Sequence, residues 1–270
     1  MSEPLLIGVV AYTPNVVTIW EGMRDYFAEG QAPIDFVLFS NYGRQVDALL
    51  SGFLDIAWNT NLAWVRTVGQ TGGQCRALAM RDTDTVFQTV VVARPGSGID
   101  GLAGLRGRRL ALGSQDSAQA AILPVHYLRE AGLAESEVEL VRLNSDVGKH
   151  GDTGRSELDA LRVVLEDGAD AAAVGINTWE AIGREELMPG AFEAIWSSPV
   201  YSHCNFTALP SLSQQRVDPW LEQLFAMDWE VPAHRTILAM EGLKAWVPPK
   251  LEGYDSLFAA VEQQGISLRW

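Results

Sequence analysis

The strongest constraint on this chain is a regular alternation of short runs rich in Val, Ile and Leu with segments of helical period. The runs "LLIGVVA" (5–11), "IDFVLF" (34–39), "LDIAW" (54–58), "TVVVARP" (89–95), "RRLALG" (108–113), "VELVRL" (138–143) and "ADAAAVG" (169–175) read as strands. Segments 15–29, 43–52, 117–131, 156–167 and 216–227 read as helices. Near-continuous apolar strands separated by helices specify an α/β fold, because a parallel strand is covered on both faces and needs a long crossover to its neighbour. In the second helix, Val46, Leu49, Leu50 and Phe53 recur at helical spacing and predict one apolar face.

The alternation breaks twice, at "ARPGSGIDGLAGLRG" (93–107) and about a hundred residues later at "SSPVYSHCNF" (197–206). Two breaks imply an inserted lobe. Residues 1–92 with 203–270 form the expected first lobe and 93–202 the second, with a ligand cleft between the lobes.

Composition excludes several partners. A net charge of −14, from 20 basic and 34 acidic residues, opposes nucleic-acid binding, which needs clustered Lys and Arg. No membrane insertion is expected, since no apolar run approaches the roughly 18–20 residues that span a bilayer. The two cysteines, Cys75 and Cys204, allow one disulfide at most and match neither a zinc ribbon nor a redox CxxC. The opening "MSEPLLIGVVAYTP" has no basic stretch followed by an apolar one, so the expected location is cytoplasmic, or periplasmic if a leader has been trimmed.

The segments "PNVVTIWEGMRDYF", "NYGRQVDALLSGFLDIAWNTNLAWV", "VVVARPGSGIDGLAGLRGRRLALGSQDSAQAAILPVHYLREAGL", "DALRVVLEDGADAAAVGINTWEAI" and "ILAMEGLKAWVPPKLEGYDSLFAAV" follow one another in a telling order. Over nearly the whole chain they resemble the substrate-binding proteins of phosphonate, phosphite and phosphate ABC transporters. The resemblance implies a two-lobed type II periplasmic-binding-protein fold. Each lobe would be a mixed, mostly parallel sheet flanked by helices, closing by hinge motion around a small ligand. It also implies an ABC permease as partner if the protein is exported, acting as a monomer or homodimer. No cofactor and no metal are expected.

In the phosphonate-binding relatives the helix after "LALG" presents a Ser-Thr-Ser run that holds the phosphonate oxygens at a helix N-terminus. The matching residues here are Ser117, Ala118 and Gln119, preceded by Ser114, Gln115 and Asp116, with Asp116 as the expected N-cap. Tyr42 matches a family tyrosine after the second strand. Asn59 and Asn61 stand where relatives have small residues and Pro, and Asn177 where an acid often binds a ligand amine. With Tyr12, Trp179, Tyr201 and His203 these residues form the expected ligand set. It is rich in amides and hydroxyls, and suits a phosphonate-like, zwitterionic or neutral solute better than bare phosphate.

Two stretches carry chemistry-bearing residues. "NSDVGKHGDTGR" (144–155) brings His150 and Asp152 to an expected cleft-edge loop, with Ser156 capping the next helix. In "YSHCN" (201–205), neighbours on an extended strand point to opposite faces, so His203 is expected to face ligand and Cys204 to be a small core residue. An alternative reading makes the chain a cytoplasmic enzyme using His150, His203 and Cys204 for acid–base, nucleophilic or metal-assisted chemistry. His126 and His234 are expected to be structural. Trp20, Trp58 and Trp179 flank expected cleft loops. Walker, HExxH and GxSxG motifs are absent from the sequence.

Overall fold

A computed structural model describes residues 3–143, 155–184 and 188–269. In chain order its regular elements are β1 (Leu5–Val10), α1 (Asn15–Ala28), β2 (Ile34–Phe39), α2 (Tyr42–Leu50), β3 (Ile56–Asn59), α3 (Asn61–Thr71), β4 (Arg76–Arg81) and β5 (Thr89–Ala93). They continue with β6 (Arg109–Leu112), a π turn (Ala118–Ile122) leading into α4 (Leu123–Glu130), β7 (Glu139–Arg142), α5 (Arg155–Leu165), β8 (Ala171–Gly175), α6 (Ile176–Gly183) and β9 (Glu193–Ser197). The last are β10 (Asn205–Ala208), α7 (Gln214–Phe225), α8 (Pro232–Glu241), β11 (Trp246–Val247) and α9 (Asp255–Gln264).

The chain divides into two compact units. Unit 1 comprises Met1–Val86, Ser202–Tyr254 and Ser267–Trp270; unit 2 comprises Phe87–Tyr201 and Asp255–Ile266. Each unit holds one sheet.

In unit 1 the strand order is β11-β4-β10-β3-β1-β2. Strand β1 runs parallel to β2 and β3, while β10 is antiparallel to β3 and β4, and β11 antiparallel to β4. Thus β1 to β4 share one direction and only β10 and β11 oppose it. Helix α1 closes one face with Val16, Ile19, Trp20, Met23 and Phe27 at helical spacing, all buried. They join Ile7, Val9, Trp58, Phe206 and Trp220 in the core, where Phe206 meets Trp20 and Trp220 edge to face.

In unit 2 the order is β7-β6-β8-β5-β9. Strands β6, β7 and β8 are parallel, and β5 runs against both β8 and β9. Four strands share a direction and β5 alone is reversed. Val90, Val92, Ala111, Ala172 and Val174 pack against Leu161 and Val164 of α5. Both sheets are therefore mixed, mostly parallel and flanked by helices, as the alternating sequence pattern requires. In each unit the strand that first follows a passage from the other unit, β5 or β10, is a reversed one.

The structure corrects several local expectations. Phe53 lies beyond the end of α2 and is 59% exposed, so it takes no part in that helix's apolar face. Ser156 is the second residue of α5 rather than its cap. The expected helix 117–131 opens with the π turn. Strands β4, β9, β10 and β11 had no counterpart among the predicted runs.

Candidate functional site

In unit 1 a line of buried polar side chains crosses the sheet at the carboxyl end of β3. Gln45 Nε2 donates to Asn59 Oδ1 (2.9 Å) and Asn59 Nδ2 to Thr207 Oγ1 (3.0 Å). Thr207 donates to Asn205 Oδ1 (2.7 Å), Asn205 Nδ2 to the Tyr254 hydroxyl (2.8 Å), and that hydroxyl to the His203 carbonyl (3.0 Å). Every donor points the same way along the chain, so each bond polarises the next. The antiparallel register of β10 on β3, with Asn205 opposite Asn59, brings the side chains together.

Beyond His203 the line becomes ionic. His203 Nδ1 stands 3.2 Å from Asp84 Oδ1 and 3.0 Å from Cys204 Sγ. Arg81 grips Asp84 through two bonds, Nε to Oδ2 (2.6 Å) and Nη2 to Oδ1 (2.9 Å). Its Nη1 donates to the Glu241 carbonyl (2.8 Å) and lies 3.6 Å from the Glu241 carboxylate. Burial raises the Asp84 pKa, but the Arg81 charge and the bonds from His203 and Arg81 outweigh it and hold the carboxyl at about 2. Glu241 receives only the longer contact, so burial dominates and lifts it to about 7. Burial likewise raises the Cys204 thiol.

These contacts decide what the cluster can do. Asp84, His203 and Cys204 bring an oxygen, a nitrogen and a sulfur within 4.8 Å of one another, a donor set that suits zinc. Arg81 already holds both Asp84 oxygens, and a cation there would meet the guanidinium. A nucleophilic thiol needs a depressed pKa and access, whereas Cys204 is buried with its pKa raised. The geometry is that of a structural network. Cys204 and His203 touch because regular strand β10 begins only at Asn205, so the alternation expected for adjacent residues does not apply.

In unit 2 the turn after β6 is shaped by Pro124. A proline at this point has no N–H to return to the preceding helical turn. The carbonyls five and four residues before it are taken up otherwise: Thr89 Oγ1 donates to Gln119 O (3.0 Å) and Gly113 N–H to Ala120 O (2.9 Å). Gly113 approaches so closely that a Cβ there would lie 2.8 Å from Ala120 Cβ. Ser117, not Asp116, is the N-cap, its Oγ accepting from Ala120 N–H (3.2 Å). Gln119 Nε2 donates to Glu157 Oε1 (3.1 Å), whose Oε2 accepts from Gly175 N–H (2.8 Å). Strands β6 and β8 are adjacent and parallel. Their carboxyl ends therefore present two neighbouring helix starts, at Ser117 and Gly175, the position where open α/β sheets take ligands.

The expected site residues fall into three groups. Buried at strand ends are Tyr42, Asn61, Ser114, Ser117, Gln119, Tyr201 and His203. Asn59 is buried with both polar atoms inside the donor line. Tyr12, Gln115 and Asn177 are exposed, Asp116 is half-buried, and half-buried Trp179 packs on the unit 2 core. His150 and Asp152 lie outside the described residues. Trp20 and Trp58 are core residues of unit 1, with Arg81 above the Trp58 ring. His126 is buried beside Gln263 and Glu130, and His234 Nδ1 accepts from Asp228 N–H. Sequence reasoning missed Gln45, Trp64, Arg81, Asp84, Asn205, Thr207, Glu241 and Tyr254. The spacing of Arg81 and Asp84 within "RDTD" was a usable signal for one of these contacts.

Two three-layer units exchanging the chain, each opening its helices at the carboxyl ends of a mostly parallel sheet, define the type II periplasmic-binding-protein class of solute receptor, which takes a small polar ligand. The pattern of the family described as "ABC transporter, phosphonate, periplasmic substrate-binding protein" matches residues 7–254, and the chain belongs to that family. It is 24% identical over 236 residues to the probable ABC transporter phosphite binding protein PhnD1 of Prochlorococcus marinus, covering 83% of this chain and 76% of the relative. The solved structure of PhnD1 in complex with methylphosphonate superposes with a TM-score of 0.75 at 18% identity, over 97% of this chain and 98% of that one. XAC2383 from Xanthomonas citri bound to ATP gives 0.75 at 16% identity, with the same coverage. Among the described residues no helix is long and apolar enough to cross a membrane.

Family membership overturns the cytoplasmic expectation. The family is one of periplasmic binding proteins, which points to an exported chain. That expectation leaned on the first residues, yet a leader is cut away from exported proteins and its signal goes with it.

Proposed function

We propose that this receptor binds a small solute bearing a phosphonate-like oxyanion of low net charge, held by neutral donors. The supporting observation is the turn at Ser117. Two buried serines, Ser114 and Ser117, precede the helix start, and Ser117 caps it, which leaves its hydroxyl hydrogen as a donor. The other buried polar residues at the strand ends include Thr60, Asn61 and Gln119, again hydroxyls and amides. Neutral donors and a helix dipole stabilise a single negative charge well, whereas a compact dianion calls for charged partners.

Titration calorimetry with methylphosphonate, 2-aminoethylphosphonate, phosphite and phosphate tests this reading. Methylphosphonate is expected to bind at least 10-fold tighter at pH 6, where the group carries a single charge, than at pH 9, where it carries two. Ser117→Ala is expected to weaken that binding several-fold. Phosphate binding tightest, with no effect of Ser117→Ala, would sink it.

A further inference from the structure

The first turn of α3 in unit 1 is capped from within. Thr60 Oγ1 accepts from Ala63 N–H (3.4 Å), the Thr60 carbonyl from Trp64 N–H (2.9 Å), and Asn61 Oδ1 from Leu62 N–H (2.9 Å). Two side-chain donors of the same turn are left over. Asn61 Nδ2 and the Trp64 indole N–H are buried and find no acceptor among the described residues. Asn61 is 0% and Trp64 5% exposed.

Residues three apart on a helix share a face, so the two donors stand one above the other at the start of α3. Leaving a donor buried and unpaired is costly, and leaving two on one turn is rarely an accident of packing. Trp220 and Trp246 also have unpaired indole N–H groups, but both belong to the apolar core of unit 1. Trp64 has the Tyr254 ring beside it, 5.8 Å between centroids, and the Tyr254 hydroxyl belongs to the polar line of unit 1. The turn follows β3, whose parallel neighbour β1 also ends here.

We propose that Asn61 Nδ2 and the Trp64 indole N–H form an oxyanion subsite, each donating to an oxygen of the bound solute, with the dipole of α3 adding to both. This rests on the oxyanion reading above and assigns it two further specificity-determining residues. Because both donors are neutral, the subsite favours a singly charged phosphonate or sulfonate group over a dianion.

Trp64→Phe separates this role from a structural one, since it keeps an aromatic ring beside Tyr254 and deletes only the indole edge with its donor. Methylphosphonate affinity is expected to fall 5- to 50-fold in protein that stays folded, the lost ring volume lowering the melting temperature of the ligand-free protein by only a few degrees. Asn61→Asp retains the Oδ1 acceptor for Leu62 N–H but turns the donor into a negative oxygen, and is expected to cost more than 100-fold. Unchanged methylphosphonate affinity in Trp64→Phe overturns the subsite and leaves the wider reading standing. A wild-type protein that takes neither methylphosphonate, phosphite nor phosphate overturns both.

Discussion

Arg81 illustrates how one guanidinium settles the state of two buried acids. Asp84 takes two of its donors and stays ionised; Glu241 gets a 3.6 Å contact and the repulsion of Asp84. The signs follow from linkage. Glu241 has a folded pKa raised to about 7, so its share of stability is complete below the unfolded value near 4.3 and is lost as pH rises towards 7. Asp84 has a net lowered pKa, so its share is present above about 3.9 and lost only as pH falls towards 2. Urea denaturation of the wild type is thus expected to show stability declining between pH 5 and 7 by on the order of 3 kcal/mol from Glu241. Glu241→Gln should flatten that slope; an unchanged slope would mean Glu241 ionises freely in the fold. Asp84→Asn, by contrast, leaves the buried guanidinium with only the longer contact to Glu241 and should cost about 3 kcal/mol at neutral pH. At this scale the sequence was only partly legible. The residue types of the ligand set could be read, but the pairing of Arg81 with Glu241, 160 residues away, depends on β4 meeting the end of α8, which no local pattern encodes.

Elements were more legible where hydrophobic period and length agreed. Strand β2 coincides with its predicted run, and α1 ends one residue before the expected limit, because their apolar residues fill one sheet and one helical face. Strand β10 escaped notice because "NFTA" carries an amide and a hydroxyl where an apolar run was sought, and those two groups are the ones the donor line uses. The π turn escaped for a related reason, since the Gln119 and Ala120 carbonyls find donors on Thr89 and Gly113 only in the folded chain. Thr89 therefore matters to the turn although it is 30 residues away in β5. Thr89→Val keeps the branched shape but leaves the Gln119 carbonyl without its donor. It is expected to lower stability by about 1–3 kcal/mol in denaturant titrations. A loss well under 0.5 kcal/mol would show that the turn holds without it.

At the scale of the whole molecule, fold class was readable because alternation, length and apolar content all point one way, whereas the address was not, since mature exported and intracellular chains share the same physics. Net charge is the whole-molecule property with a consequence for binding. A body carrying −14 repels an approaching dianion, and that repulsion extends about 30 Å in 10 mM salt but only about 8 Å at 150 mM. Neutral donors at the candidate site offer no local cation to offset it. The association rate of phosphate at pH 8 should therefore increase with salt over this range, by roughly 2- to 10-fold. That of 2-aminoethylphosphonate should rise less, because its ammonium offsets one of the two phosphonate charges and leaves a net charge of about −1 at this pH. Stopped-flow measurement of intrinsic tryptophan fluorescence at both ionic strengths reads these rates directly. A phosphate rate that falls with added salt would require a basic patch that steers the anion, and would overturn the reading of a site built from neutral donors.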